Sequence, residues 1–395
     1  MKHLLFFVFS TLFISCSSQP AVQEVAHESE IITGARQMSR YMPLLSGKRV
    51  GVVANQTSLI GHTHLVDTLL ANKINVVAVF APEHGFRGDA GAGEHVADGK
   101  DPKTGIPVLS LYGKTKKPTP TMLTGIDLLI FDIQDVGARF YTYISTLHYV
   151  LEAAAENNLQ VLVLDRPNPN GFYIDGPVRE EKYTSFVGMH PIPIVHGLTI
   201  GELTQMIVGE YWLTANPVVT IIPCLGYTHD MRYSLPVRPS PNLPNDLSIA
   251  LYPSLCWFEG TEVSVGRGTS LPFQVMGFPG CKAGSYTFTP EDIPGVATNP
   301  PYEHELCSGL DLRETNAQQA NQLELSWLLK MYDAYPDKQH FFSSNGFFDK
   351  LCGTAELREM VVQGKSAEEI RASWLPEIEH YKTIRRKYLL YPDFE

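Results

Sequence analysis

Hydrophobic positions in the first two-thirds of the chain fall in short unbroken runs rather than in strict alternation. KRVGVVA (48–54), INVVAVF (74–80), DLLIFDI (127–133), QVLVLD (160–165) and VVTIIP (218–223) are rich in Val, Ile and Leu. Runs of this length predict strands buried on both faces of a parallel sheet. Between them, helices are expected around 63–72, over 143–158 and over 199–212. Thr199, followed three residues later by Glu202, is a capping-box signature for the last of these. Strands and helices in alternation predict a doubly wound α/β domain. Past residue 250 the pattern changes. Residues 251–300 are rich in Gly, Pro and aromatics without a clear period, and 317–390 are helical in character. A domain boundary near 250 follows, with domains at 45–250 and 251–395, the second a smaller α+β unit.

The N-terminus has a pattern of its own. MKHLLFFVFSTLFISC carries Lys2, then an apolar run, then a small residue before Cys16. This predicts a secretory signal over 1–16, too short for a stable membrane span. FISC resembles a bacterial lipobox, with Phe13 at a position where Leu is commoner. Cys16 is then the lipidated first residue and 17–44 a flexible tether, which places the protein in the periplasm or cell envelope. The alternative is an ordinary cleaved signal in which Cys16 is incidental. The 395 residues are 44% hydrophobic and 18% charged, an ordinary globular balance. A net charge of −11 argues against nucleic acid as the main partner but leaves room for a small anionic ligand. Cys224, Cys256, Cys281, Cys307 and Cys352 form no CxxC pair. They are expected mostly as buried thiols, with one or two disulfides compatible with export.

In an open parallel sheet, ligands bind beyond the carboxyl ends of the strands. The residues there are rich in chemistry. The first run leads into Asn55-Gln56-Thr57, and the second into Pro82-Glu83-His84-Gly85. The third leads through Asp132, Gln134 and Asp135 to Gly137, Arg139 and Tyr141, and the fourth into Asp165, Arg166, Asn168 and Asn170. An Asp after a strand is often only a turn or cap residue. Glu83 fits that role less well, because a longer side chain gains little from bonding its own turn. Burial at a strand mouth raises a Glu pKa toward what a general acid needs. Asp132, Asp135 and Asp165 are candidates for a second carboxylate, since paired carboxyls are the usual apparatus of glycoside hydrolysis.

Other chemistries have weaker signals. His62, His64, His84 and His95 lie near Asp67, Asp89, Glu94 and Asp98, but there is no HExxH. No metal or cofactor is expected. GxSxG, GxGxxG after the first strand and GxxxxGK[ST] are also absent. FEGTEVSVGRGTSLPF (258–273) places Glu259, Glu262 and Arg267 among glycines that let a ligand approach the backbone. RPSPNLPNDLSIALYP (238–253) is either a pocket wall or a linker. Arg87, Arg139, Arg166 and Arg267 are candidates to clamp a carboxylate, or else partners of neighbouring acids.

VANQTSL, FAPEHGFRGDAGAGE, TGIPVLSLYG, FDIQDVGARFYTYISTL, LDRPNPNGFYIDGP, PIPIVHGLTIGEL, RPSPNLP and FEGTEVSVGRGTSLPF occur in this order. On these motifs, residues 45–395 resemble the exo-β-N-acetylmuramidases of the NamZ type. The resemblance implies a Rossmann-like N-terminal domain, a smaller C-terminal domain and a cleft between them. It implies release of non-reducing terminal β-N-acetylmuramic acid (MurNAc) from peptidoglycan fragments during cell-wall turnover. Glu83, in the PEHG motif, takes the main catalytic role, and Asp135 is the first candidate for its partner, ahead of Asp132 and Asp165. Asn55, His84, Arg87, Asp132, Arg139, Tyr141, Arg166, Asn168, Glu259 and Arg267 are the expected substrate-binding residues. Tyr141, Tyr143, Phe86 and Phe140 are candidates to stack on a sugar, although such aromatics are more often core. Two rival readings stay open: a non-catalytic muropeptide-binding lipoprotein, and a metal-dependent cell-wall amidase or esterase.

Overall fold

The computed structural model describes residues 1, 30–87, 98–316 and 321–395. The expected signal segment, Cys16, Asp89, Glu94 and His95 lie outside the described residues. In chain order the first part contains α1 (Met38–Leu45), β1 (Arg49–Ala54), a small hairpin of β2 (Leu59–Ile60) and β3 (Thr63–His64), and α2 (Leu65–Ala71). It continues with β4 (Asn75–Ala81), β5 (Gly99–Lys100), β6 (Pro107–Ser110), β7 (Leu128–Asp132) and α3 (Tyr143–Glu156). β8 (Gln160–Leu164), α4 (Ile200–Gly209) and β9 (Val218–Ile222) complete it. The remainder holds α5 (Asp246–Leu255), β10 (Val275–Pro279), β11 (Tyr286–Phe288), β12 (Cys307–Asp311), α6 (Leu325–Ala334), α7 (Phe347–Cys352), α8 (Glu356–Val362) and α9 (Ala367–Arg385).

The apolar runs become the interior of one seven-stranded sheet, ordered β5-β6-β4-β1-β7-β8-β9. All pairings are parallel except β5 with β6. Successive residues of a strand point to opposite faces, and here both faces are covered. Val50, Val52, Leu128 and Ile130 enter one core; Val53, Leu129 and Phe131 enter the other. That is why these strands read as continuous rather than alternating. From β1 the parallel strands run outward in both directions, the arrangement of a Rossmann-like sheet, and the order reverses between β1 and β7. The Thr199–Glu202 capping box forms as expected at the start of α4.

One stretch departs from expectation. The chain from Ile31 onward is built into the fold, so residues 31–44 are not a tether. Ile32 exchanges main-chain hydrogen bonds with Leu225, and α1 buries Tyr41 and Leu45. The Tyr41 hydroxyl donates to the Ala35 carbonyl at 2.8 Å. α1 escapes sequence reading because it is short and contains Pro43.

The later part is α+β, with an antiparallel sheet ordered β10-β12-β11. Gly277 faces Gly309 in that register. A Cβ on Gly277 would lie 2.1 Å from the Ser308 carbonyl oxygen, so the two strands cross too closely for any side chain there. The C-terminal segment returns to the first part: Leu390 N–H donates to Glu202 Oε1 at 2.9 Å, and Arg385 donates to the Gly197 carbonyl. Residues Ile31–Glu395 form one compact unit. Among the described residues the five cysteines are buried free thiols, and no helix is long and apolar enough to cross a membrane.

Candidate active site

β4 ends at Ala81, and Pro82 leads into a turn in which His84 (φ 71°) and Gly85 (φ 78°) are both left-handed. Left-handed backbone is unusual for a residue with a Cβ and is held only where the surroundings fix it. The turn presents Glu83 at the carboxyl edge of the sheet, in the strand beside the point where the order reverses. Glu83 Oε2 accepts a hydrogen bond from Thr142 Oγ1 at 2.7 Å. Thr142 is the residue before α3, and its side chain makes no cap bond, so its hydroxyl is available to the carboxylate. Tyr112, just past β6, has its phenol pKa raised by burial and then by the negative charge of Glu83.

Glu83 opens into a cavity of about 540 Å³, within the range of small-molecule sites. Both parts of the chain wall it. Glu83, His84, Tyr112, Phe140 and Tyr141 come from the first part; Tyr252, Phe258, Glu259, Arg267 and the 296–301 loop come from the second. The 238–253 stretch is a wall: Ser240, Asn242 and Leu243 face the cavity, and the Pro239 carbonyl accepts from the Tyr141 hydroxyl at 2.9 Å. Edge-to-face contacts tie Phe140 to Tyr252 (5.3 Å) and Tyr252 to Phe273 (5.0 Å), which stiffens the floor across the two parts.

Of the expected site residues, Glu83, His84, Tyr141, Glu259 and Arg267 line this cavity. Arg267 holds Glu259 through Nε at 2.8 Å and Nη2 at 2.6 Å; burial lowers the guanidinium pKa, but the Glu259 carboxylate outweighs it and the net shift is upward. The other expected residues lie behind or beside the wall. Arg166 forms a buried two-point pair with Asp132, Nε to Oδ1 at 2.6 Å and Nη2 to Oδ2 at 3.0 Å. Arg87 pairs with Asp101 at 2.9 Å and lies over the Phe86 ring, away from the cavity. Arg139 is fully buried and donates to the carbonyls of Pro177, Ile192 and Leu351; burial pulls its pKa down to about 9. Asn168 bonds the Leu198 carbonyl and the Asn170 N–H, and Asn55 bonds Thr57.

Asp165 has no exposed surface and accepts from Thr199 Oγ1, the Gly201 N–H, its neighbour Arg166 N–H and the Tyr391 hydroxyl. Asp135 is also buried. Oδ2 accepts from the Gly137 N–H at 2.7 Å, while Oδ1 has no hydrogen-bond partner among the described residues. Burial pushes the Asp135 carboxyl up to about 7, against hydrogen bonds from Gly137 and Val136. Gly137 is required there: its φ is +76°, and a Cβ would sit 2.2 Å from Asn168 Oδ1. The histidines proposed as metal ligands are partly spent on structure, since His64 caps α2 through Nδ1 and bonds the Asn55 carbonyl through Nε2. Among the described residues, no three His, Cys, Asp or Glu side chains converge as a metal site.

Thr142, Tyr112, Lys116, Phe186 and Tyr252 contribute to the site without having been singled out from sequence. Tyr112 carried a usable signal, because it follows a strand at the same carboxyl edge. Lys116 and Phe186 carried none, since both sit in connections whose placement depends on distant contacts.

The family model for the N-terminal part of the exo-β-N-acetylmuramidase NamZ matches residues 50–247, and that for its C-terminal part matches 250–391. The peptidoglycan β-N-acetylmuramidase NamZ of Bacillus subtilis (strain 168) is 40% identical over 406 residues, covering 97% of each chain. The crystal structure of a DUF1343 family protein from Bacteroides fragilis NCTC 9343 superposes with a TM-score of 0.85 at 48% identity, covering 92% of this chain and all of that one. A second DUF1343 protein from the same organism gives 0.80 at 33% identity, covering 91% of this chain and 99% of that one. The match spans nearly the whole length of both parts that wall the cavity, and the chain therefore belongs to the exo-β-N-acetylmuramidase NamZ family.

Proposed function

We infer that the protein is an exo-acting glycoside hydrolase that releases terminal MurNAc from the non-reducing end of peptidoglycan fragments. The observation that carries this reading is the placement of Glu83. A carboxyl group stands at the carboxyl edge of the sheet, bonded by Thr142, and faces a sugar-sized cavity floored by aromatic rings. Glu83 donates its proton to the glycosidic oxygen as the bond to C1 lengthens, and Thr142 holds the carboxyl in the orientation for transfer. The leaving sugar departs with the transferred proton, water supplies the hydroxyl that ends on C1, and the second proton of that water restores the Glu83 carboxyl. Phe140, Tyr141 and Tyr252 offer apolar faces to the pyranose ring. Asp135 and Asp165 serve as positioning residues: Asp135 steadies the loop that carries Arg139 and Tyr141, and Asp165 anchors the end of β8.

The test is release of free MurNAc from a MurNAc-GlcNAc disaccharide by protein lacking residues 1–16, with and without chelator, beside Glu83→Gln. Turnover that survives chelation and vanishes in the variant supports the hydrolase and its acid together. Binding of the disaccharide without any release would overturn the reading.

We also propose that the protein works in the cell envelope, held by a lipid on Cys16. Support comes from the signal-like segment ending in FISC. Metabolic labelling with a fatty-acid analogue checks this: the label is expected on the wild type and absent from Cys16→Ser, and equal labelling of both would refute the anchor.

A further inference from the structure

The substrate proposed above differs from other amino sugars of the wall by one group, a lactyl ether on O3 that carries a carboxylate. A cavity that selects it must offer a cation. The arginines do not supply a free one: Arg267 is paired with Glu259, Arg166 with Asp132, Arg87 with Asp101, and Arg139 is closed in by carbonyls. Lys116 is different. It lines the same cavity as Glu83, and among the described residues no carboxylate lies within ion-pairing distance of its ammonium. Its neighbour Lys117 takes up the nearby Glu152 and Glu156.

The ammonium instead sits 4.2 Å above the Phe186 ring. Phe186 is itself fixed, stacked on Tyr149 with centroids 6.2 Å apart and an interplanar angle of 11°, and leaning on Tyr112 at 6.4 Å. A cation over an aromatic face is held in place without being neutralised, so its full charge remains for a ligand. Tyr112 links this wall to the acid, because its phenol feels the Glu83 carboxylate. Glu83, Tyr112, Phe186 and Lys116 thus run in sequence along one wall. On the sugar, the glycosidic oxygen and the lactyl carboxylate stand on nearby carbons of one ring, at C1 and C3. We propose that Lys116 is the specificity-determining residue that binds the lactyl carboxylate of MurNAc while Glu83 addresses the glycosidic oxygen. This assignment rests on the muramidase reading of the cavity.

The experiment compares inhibition of disaccharide cleavage by free MurNAc, by GlcNAc and by MurNAc methyl ester, in wild type, Lys116→Met and Lys116→Arg. A charge-assisted contact of this kind is expected to contribute roughly 10- to 100-fold. Lys116→Met should weaken MurNAc by that factor through KM and inhibition constant, with kcat little changed, and should leave GlcNAc unaffected. Lys116→Arg should recover most of the loss. In wild type the methyl ester should bind as weakly as MurNAc binds to Lys116→Met, a comparison that holds even if a variant folds poorly. Equal loss for MurNAc and GlcNAc, or wild-type binding of the ester as tight as that of the acid, would overturn the role of Lys116 while leaving the hydrolase intact. If the wild type releases no MurNAc at all, the hydrolase reading fails instead, and calorimetric titration with MurNAc and its ester still decides whether Lys116 reads the carboxylate.

Discussion

Glu83 follows β4 and Asp165 follows β8, both at the carboxyl edge of one parallel sheet. From position alone they are equivalent. In the folded molecule Glu83 faces the cavity and accepts from Thr142 on one oxygen. Asp165 is covered by Thr199, Gly201 and, from the far end of the chain, Tyr391. Burial pushes its carboxyl up to about 6, even against those donors. The difference is made by what returns to cover each strand end. Donors converging on one buried carboxylate from several elements fix a structure; a carboxylate that faces a cavity can also meet a ligand.

Three substitutions sharpen or break this contrast. The largest effect is expected from Glu83→Gln, which removes the proton but keeps the shape. The kcat should fall by roughly 10²- to 10⁴-fold with an unchanged melting temperature. A residual kcat within tenfold of wild type would remove Glu83 from the chemistry. Asp165→Ala should act in the opposite sense, destabilising the fold by about 2–4 kcal/mol as buried donors lose their acceptor, while activity per folded molecule at low temperature stays near wild type. Denaturant titration with parallel rate measurements checks both halves; a fold of normal stability with a collapsed rate would make Asp165 catalytic and end the contrast.

Asp135→Asn is expected to have the smallest effect, visible as a change in pH dependence. The Asp135 carboxyl ionises near 3.8 when exposed and near 7 in the fold. Between those values the native state holds a proton that the unfolded chain has released, so stability declines as pH rises from about 4 to about 7. Below that window the residue contributes no slope, and above it the loss is complete. The asparagine removes this slope, so urea midpoints of the variant should gain on wild type from pH 4 to pH 7 and then run parallel. A gap that stays constant across the whole range would contradict the buried, unpaired Oδ1.

The sheet was legible because its strands are buried on both faces, and double burial writes itself into sequence as unbroken Val, Ile and Leu. The antiparallel sheet of the second part was not, because its centre is the Gly277–Gly309 crossing, where close backbone approach replaces side-chain pattern. Glu83 could be found from the strand-end rule together with its poor fit to a turn. The same rule over-reached at Arg166, Arg139 and Asn168, whose partners lie tens to hundreds of residues away. No local pattern distinguishes an arginine aimed at a ligand from one aimed at Leu351. The NamZ motifs carried information of another kind: they marked which stretches belong together, not which atoms face the cavity.

Arg139 joins the two walls of the cavity by donating only to backbone oxygens, those of Pro177, Ile192 and Leu351. Every residue type supplies such an oxygen. At this one crossing the join therefore depends on a fixed side chain and on the course of the chain opposite it, whereas elsewhere side-chain pairs such as Asp175 with Trp374 tie the two parts together. Designers who wish to exchange the C-terminal part between relatives inherit two kinds of requirement, one on the course of the backbone and one on residue identity. α7 must keep its path so that the Leu351 carbonyl still meets Arg139, while the pair of Asp175 with Trp374 must be kept residue for residue.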